Sequence, residues 1–204
     1  MIFNFTDKYQ FMTRFSLDSE IVEVVDSTKL LGTTITNDLK WELNTATIIK
    51  KANARLELLR KVASFGAPLE DLKTVYILFI RSLLEQSAVV WHSSLTQENA
   101  NDLERVQKSA FKIILQNSNL KYKKALQILE LETLSDRREN LCLKFAQTCT
   151  KNPKFQDMFP KNSKSLNMTL RNPEIYKIEK ANTERYTKSP IIYMQKLLNK
   201  HCVD

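Results

Sequence analysis

"PLEDLKTVYILFIRSLLEQSAVVWH", residues 68–92, decides the architecture, because the same run reads either as a membrane span or as the central helix of a bundle. Pro68 sits at the first turn, where its missing N–H costs nothing, and Glu70 and Asp71 follow where the helix dipole favours acids. Val75 to Ile80 is apolar on every side, which predicts a helix enclosed by others. Arg81, Glu85 and Gln86 interrupt the apolar run and argue against a span. Arg81 and Glu85, one turn apart, predict a local ion pair rather than a site.

Upstream, from about 42 to 64, Ile49, Ala52, Leu56, Leu59 and Ala63 recur at three- and four-residue steps, so one face of a helix is buried. Lys50, Lys51, Arg55, Arg60 and Lys61 fill the remainder, and Glu57 is the only acid within 49–61. This basic amphipathic helix is either a solvated face or a phosphate-contacting one. Downstream, residues 96–115 begin with Thr96 as a cap, bury Leu103, Val106, Ala110 and Ile113 or Ile114, and display Arg105, Lys108 and Lys112. "YKKALQILEL" predicts a short helix and "SDRRENLCLKFAQTCTKN" a longer one with Leu141, Phe145 and Cys149 inward. Together these make a helical bundle.

At the N-terminal side, 2–5, about 9–15, 21–25 and 29–36 read as short strands, rich in β-branched and aromatic residues and separated by Asp-Ser signals. Gly32, with no side chain to pack, marks a bulge or a close backbone approach, and Asn37-Asp38 supplies the turn that ends the strand. Trp41 is expected at the sheet-to-helix corner as a core anchor. After Pro153, Asn, Ser, Thr, Lys and Pro dominate without a sustained period, up to a last helix, "PIIYMQKLLNK", with Ser189 as its cap. The fold class expected is α+β, mostly α. A small antiparallel β element (1–41) is followed by a helical bundle (42–152) and an irregular basic tail ending in a short helix (153–204).

The formal net charge is +8, and the tail carries most of it: residues 160–204 hold nine Lys/Arg against four Asp/Glu, while 1–159 hold 22 against 19. A basic balance favours an acidic partner such as nucleic acid. Cys142, Cys149 and Cys202 are odd in number and lack C-x-x-C spacing, which fits a reducing compartment. "MIFNFTDKYQFM" has no apolar stretch of export-signal length, so an intracellular protein, cytoplasmic or nuclear, with no membrane association is expected.

Several chemistries lack their residues. Two-metal phosphoryl transfer needs clustered carboxylates, whereas the nine aspartates are scattered singly. Two glycines 34 residues apart make no phosphate-binding loop. Neither His92 nor His201 begins an H-x-D iron motif, and three dispersed Cys with two His make no zinc site. His92, beside Trp91 at a helix end, reads as a packing or capping residue. The chain is read as non-catalytic, with no cofactor, metal or small-molecule substrate expected.

The order "VVDSTKLLGTTITNDLKW", "KKANARLELLRKV", "YILFIRSLLEQSAVVWHSSLT", "LERVQKSAFKIIL", "RRENLCLKFA" and "NTERYTKSPIIYMQKLLN" closely resembles the C-terminal part of the reverse transcriptases of non-LTR retrotransposons, over nearly the whole chain. The resemblance implies that the 29–36 strand ends the palm sheet and that the helices form a thumb gripping the template–primer duplex. It also implies that Gly32 lies where palm backbone approaches the primer. The family's Tyr-x-Asp-Asp motif lies upstream of this segment, so no catalytic residue carries over. What carries over is binding of duplex or RNA–DNA hybrid through Lys50, Lys51, Arg55, Arg60, Lys61, Arg105, Lys108 and Lys112, with the rest of a reverse transcriptase as another partner. Two other readings stand beside it: a helical protein-interaction module, or an inert retroelement remnant. Part of the segment also resembles a module named for the N-terminus of an AlkB-like tRNA-modifying oxygenase, a label whose oxygenase and methyltransferase chemistry the residues here do not supply.

Overall fold

The computed structural model describes residues 16–18, 20–21, 25–162 and 175–201. The protein is α+β and mostly α, about two thirds helical, with small antiparallel β elements ahead of the helices. The strands expected at 2–5 and 9–15 lie outside the described residues. Ser16–Leu17 (β1) pairs antiparallel with Glu20–Ile21 (β2) and Val25 lies outside any strand, while residues 22–24 of the strand expected over 21–25 lie outside the described residues.

The single strand expected over 29–36 is instead a hairpin. Ser27–Leu30 (β3) pairs with Thr33–Thr36 (β4) in the register Leu30 to Thr33, leaving a two-residue turn of Leu31 and Gly32. Both have positive φ, 48° and 84°. That is the type I′ pattern whose twist matches the strands it joins. A leucine at its first position hides the turn from a reading that looks for Asn-Gly. Gly32 therefore turns the chain rather than bulging it, and the close approach is to the protein itself: a Cβ there would come within 2.5 Å of Gln86 Nε2. Gly32→Ala is expected to cost roughly 1–2 kcal/mol, mostly from left-handed backbone strain, because the Gln86 amide end can swing aside. A urea-denaturation midpoint that does not move would contradict this.

Asn37 N–H donates to the Asp26 carbonyl at 2.8 Å and the Asp38 carboxylate accepts from Lys40 N at 3.1 Å, closing the base of the hairpin. The hydrogen bond from the Thr36 hydroxyl holds the Asp38 carboxyl below its ordinary value. Trp41, buried, stands between hairpin and helix as expected. Thr34 N–H donates to Asn44 Oδ1 at 3.0 Å and so ties β4 to the first helix.

Glu42–Ser64 (α1) buries Ile48, Ala52, Leu56 and Leu59 and packs along Gln97–Ile114 (α5). Gly66, at φ 78°, lets the chain reverse into Leu69–Val75 (α2). From there Tyr76–Arg81 is wound as a π-helix and Ser82–Leu84 (α3) resumes the α-helix. The rod breaks at Ser87, φ 54°, before Ala88–Trp91 (α4). Leu69–Ser94 is long and apolar enough by composition to cross a membrane. Its buried residues, Leu72, Tyr76, Ile80, Leu83, Leu84, Ala88 and Trp91, belong to the main core. The all-round burial expected of Val75–Ile80 does not hold: Leu78 is 61% and Phe79 49% exposed, because only the face toward α1 and α5 is covered.

Thr96 caps α5 as expected, its hydroxyl accepting from Asn99 N at 3.1 Å, and Ile114 rather than Ile113 is buried. Tyr122–Leu129 (α6) and Leu134–Lys151 (α7) follow, the latter capped by Thr133. The inward face of α7 is Leu134, Arg138, Cys142, Ala146 and Cys149. Leu141 is only partly buried and Phe145 is 45% exposed, so the expected inward face is rotated. Cys142 and Ala146 take the inward positions instead, and Arg138 is buried on the same face.

Beyond α7, a 3-10 turn at Pro153–Met158 and a bridge between Lys161 and Tyr176 lead to Glu184–Thr187 (α8) and Pro190–His201 (α9). Met194, Leu197 and Leu198 of α9 bury against Cys142, Ala146 and Cys149 of α7 and Phe159, a second apolar cluster. The helix begins at Pro190 as expected, but the Ser189 hydroxyl is buried without a partner and does not cap it.

Candidate nucleic-acid interface and a buried polar junction

Helical phase decides which basic side chains can act together, at about 100° per residue. On α5, Arg105, Lys108 and Lys112 fall within about 60° of one another, opposite the buried stripe of Leu103, Ala110 and Ile114. On α1, Lys50 and Lys61 share a line opposite Ala52 and Leu59, Lys51 and Arg55 lie on one flank, and Arg60 lies on the other, about 140° from Arg55. Because the apolar stripes of α1 and α5 pack on each other, the two basic stripes face away from each other. They form two surfaces, not one.

Local partners thin the set further. Arg60 pairs with Glu57 and Arg105 with Asp102, each one turn away. Arg55 donates to the Phe79 carbonyl in the π-helical segment, where the widened turn leaves a backbone acceptor at the surface. Lys108 Nζ stands 5.0 Å over the Tyr122 ring. Lys50, Lys51, Lys61 and Lys112 make no ion pair among the described residues. Lys108 and Lys112 border a shallow concavity of about 210 Å³ with Asn117, Ser118 and Tyr122. That places two ammonium groups beside an aromatic face and polar loop groups.

The structure also holds a polar junction that sequence reasoning missed. Gln107, buried on α5, accepts through Oε1 from the Tyr76 hydroxyl and donates through Nε2 to Tyr122 Oη at 2.6 Å and to the Glu132 carbonyl at 3.0 Å. Tyr122 in turn donates to Glu104, whose Oε1 also accepts from Leu134 N at 3.3 Å. Burial pushes the Tyr76 and Tyr122 hydroxyls up, and the Glu104 carboxylate adds to the rise at Tyr122. Both hold their protons for donation.

A second chain of contacts reaches the last helix. Arg138 Nε–H donates to His92 Nδ1 at 3.4 Å, which assigns the imidazole proton to Nε2, 3.3 Å from Tyr193 Oη on α9. Tyr193 donates to Glu139 Oε2 at 3.5 Å, and Lys200 Nζ donates to Glu139 Oε1 at 3.3 Å. Burial, aided by the Arg138 charge, brings His92 down to about 4. Arg138 is fully buried, its guanidinium 5.8 Å from the Trp91 ring, and its Nη1 and Nη2 have no partner. Glu85, at the break before α4, pairs with Arg137 at 3.2 Å as well as with Arg81 at 3.6 Å, so the ion pair expected within the helix is also a bridge to α7. Among the described residues no three His, Cys, Asp or Glu gather as metal ligands.

No known protein family matches the chain, and neither the curated proteins nor the solved structures contain a significant match to it.

Proposed function

We propose that the chain is a thumb-like segment of a non-LTR retrotransposon reverse transcriptase that binds template–primer nucleic acid without sequence preference and has no polymerase activity of its own. The observation that carries this reading is the exposed basic stripe on α5, Arg105, Lys108 and Lys112, one turn apart along a helix that a compact core holds rigid. Spacing of that kind follows a phosphate backbone, and contacts to phosphate position a duplex without reading its bases. The α1 set, Lys50, Lys51, Arg55 and Lys61, is a second such surface on the other side of the helix pair.

Fluorescence anisotropy against an RNA–DNA primer–template hybrid, titrated across salt, tests it. Arg105→Ala/Lys108→Ala/Lys112→Ala is expected to reduce the slope of log affinity against log salt by about one for each phosphate that is no longer neutralised. Lys50→Ala/Lys51→Ala/Arg55→Ala/Lys61→Ala tells whether the α1 surface contributes. Binding that is absent, or equal in wild type and both variants, refutes the reading.

A second reading, a protein-interaction module, draws on the exposed apolar side chains of Leu30 and Leu31 in the hairpin and Val25 just before it, Leu31 being 90% exposed. Sedimentation equilibrium showing self-association that Leu31→Asp abolishes, without duplex binding, would favour it.

A further inference from the structure

Between Arg105 and Glu130 the chain holds five lysines, Lys108, Lys112, Lys121, Lys123 and Lys124, and no acid. All five are exposed, and none makes an ion pair among the described residues. The fold brings the two groups to one place. Lys108 and Lys112 line the concavity of about 210 Å³ from α5, and Tyr122 and Ala125 line it from α6. Lys121, Lys123 and Lys124 lie within about 3 Å of Tyr122 along the helix axis, so the α6 lysines start beside the same depression. Tyr122 is clamped to α5: its hydroxyl donates to Glu104 and accepts from Gln107 Nε2 at 2.6 Å, and its ring stacks on Phe111 with centroids 5.8 Å apart. The lysine-bearing turn is thereby fixed against α5.

Local folding does not account for these lysines. Lys121 is the N-cap of α6, a position that favours side chains able to accept from the first N–H groups, and it makes no such bond. Lys123 and Lys124 follow at the positive end of the helix dipole, where acids are favoured. Three breaches of local preference within one turn point to a role outside the fold. The nearest preceding acids are engaged: Asp102 pairs with Arg105, and Glu104 Oε1 accepts from the Tyr122 hydroxyl and Leu134 N. From Leu95 to Gln127 no large apolar side chain stands exposed, so the surface offers charge without the apolar contacts that a membrane or a protein groove would use. The Tyr122 ring, stacked on Phe111 and overlain by Lys108, leaves no platform for a base. We infer that Lys121, Lys123 and Lys124 extend the α5 stripe into one nucleic-acid surface, on which the phosphates of one strand pass from Lys108 and Lys112 across the concavity to the start of α6. The inference rests on the nucleic-acid reading above and adds to it three contacts on a second helix.

The test is fluorescence anisotropy of the full chain against a short RNA–DNA hybrid across salt. Lys121→Gln/Lys123→Gln/Lys124→Gln is expected to weaken binding about tenfold and to lower the slope of log affinity against log salt by about one per lysine. Lys144→Gln/Lys151→Gln/Lys154→Gln removes the same charge from α7 and the turn after it, and should change affinity less than about twofold at physiological salt, where distant charges are screened. The α6 variant should unfold at an unchanged or higher urea concentration, since it relieves repulsion at the helix start. Should its midpoint fall instead, amide resonances of the wild-type chain decide: adding hybrid is expected to shift Ser118, Tyr122 and Lys123, and silence there overturns the inference. Wild type that does not bind the hybrid overturns the nucleic-acid reading and this inference together. Binding that the α6 variant retains, or that both variants lose equally, overturns this inference alone. Tighter binding of poly-glutamate than of hybrid at matched charge overturns it as well, and assigns the surface to an acidic protein segment.

Discussion

Gln107→Leu is expected to lower the stability of the fold by about 2–4 kcal/mol, read as a fall in the urea midpoint with the slope unchanged. Leucine is similar in volume but branched and one atom shorter, so some repacking adds to the loss. Its removal leaves the Tyr76 hydroxyl, fully buried, without its acceptor and the Glu132 carbonyl without its donor. The orphaned, fully buried Tyr76 hydroxyl costs about 1–3 kcal/mol, the carbonyl of the exposed Glu132 costs less, and added leucine burial offsets part of the sum. Tyr122 keeps Glu104, so that hydrogen bond survives. Tyr76→Phe added to Gln107→Leu should recover about 1 kcal/mol, because removing both partners of a buried hydrogen bond is nearly neutral where removing one is not. If the double variant is less stable than the single, the network is not what Gln107 supplies.

Arg138→Met carries the opposite sign: a gain of about 1–3 kcal/mol is expected. The guanidinium is removed from water with one long hydrogen bond to His92 and a contact to the Trp91 ring, while Nη1 and Nη2 have no partner. Burial lowers its proton affinity, and Glu104 and Glu85 offset that only in part. A methionine of similar length keeps the packing among Trp91 and Cys142 and removes the desolvated charge. A drop of several kcal/mol instead would mean that the charge is compensated in the folded protein and that Arg138 holds α7 in place through it.

The same substitution shifts a pH dependence. In the native protein His92 titrates near 4, below its ordinary 6.5. Between those values the unfolded chain takes up a proton that the folded chain refuses. Stability therefore falls as pH drops from 6.5 toward 4, by at most about 1.4 kcal/mol per unit, and His92 contributes nothing to the slope above that window. Burial is the larger cause and Arg138 the second, with Glu139 opposing both. Arg138→Met should accordingly raise the His92 midpoint part of the way back, read from its imidazole resonances. Cys142, pushed up to about 11 by burial despite Arg138, should stay unreactive to alkylating agents near neutral pH while the fold persists.

The fold class and the bundle are legible in the sequence because their signals are local. The α1 boundaries, the Thr96 cap and the buried phase of α5 come from three- and four-residue periodicity and from turn chemistry within a few positions. The candidate site is legible only as a set of exposed cations. Their division into two opposed surfaces depends on which helix packs on which, and Arg55 is drawn to the Phe79 carbonyl by a π-helical turn that no residue pattern announces.

The departures from expectation share a cause. Periodicity turns Leu141 and Phe145 inward with Cys149, yet the buried face of α7 runs through Leu134, Cys142, Ala146 and Cys149 and includes Arg138, whose hydrogen-bond partner His92 is 46 positions away in sequence. Leu31 adopts a left-handed backbone because strand pairing and Gln86 close the hairpin, not because leucine prefers it.

Helix positions, caps and the apolar stripes that drive collapse are thus determined along the chain, since they depend on short-range geometry and hydrophobic burial. Tertiary structure alone decides the hairpin register, the face of α7 and the two polar networks. Each of these rests on polar groups whose partners are far apart in sequence and become meaningful only once burial removes water as the alternative partner.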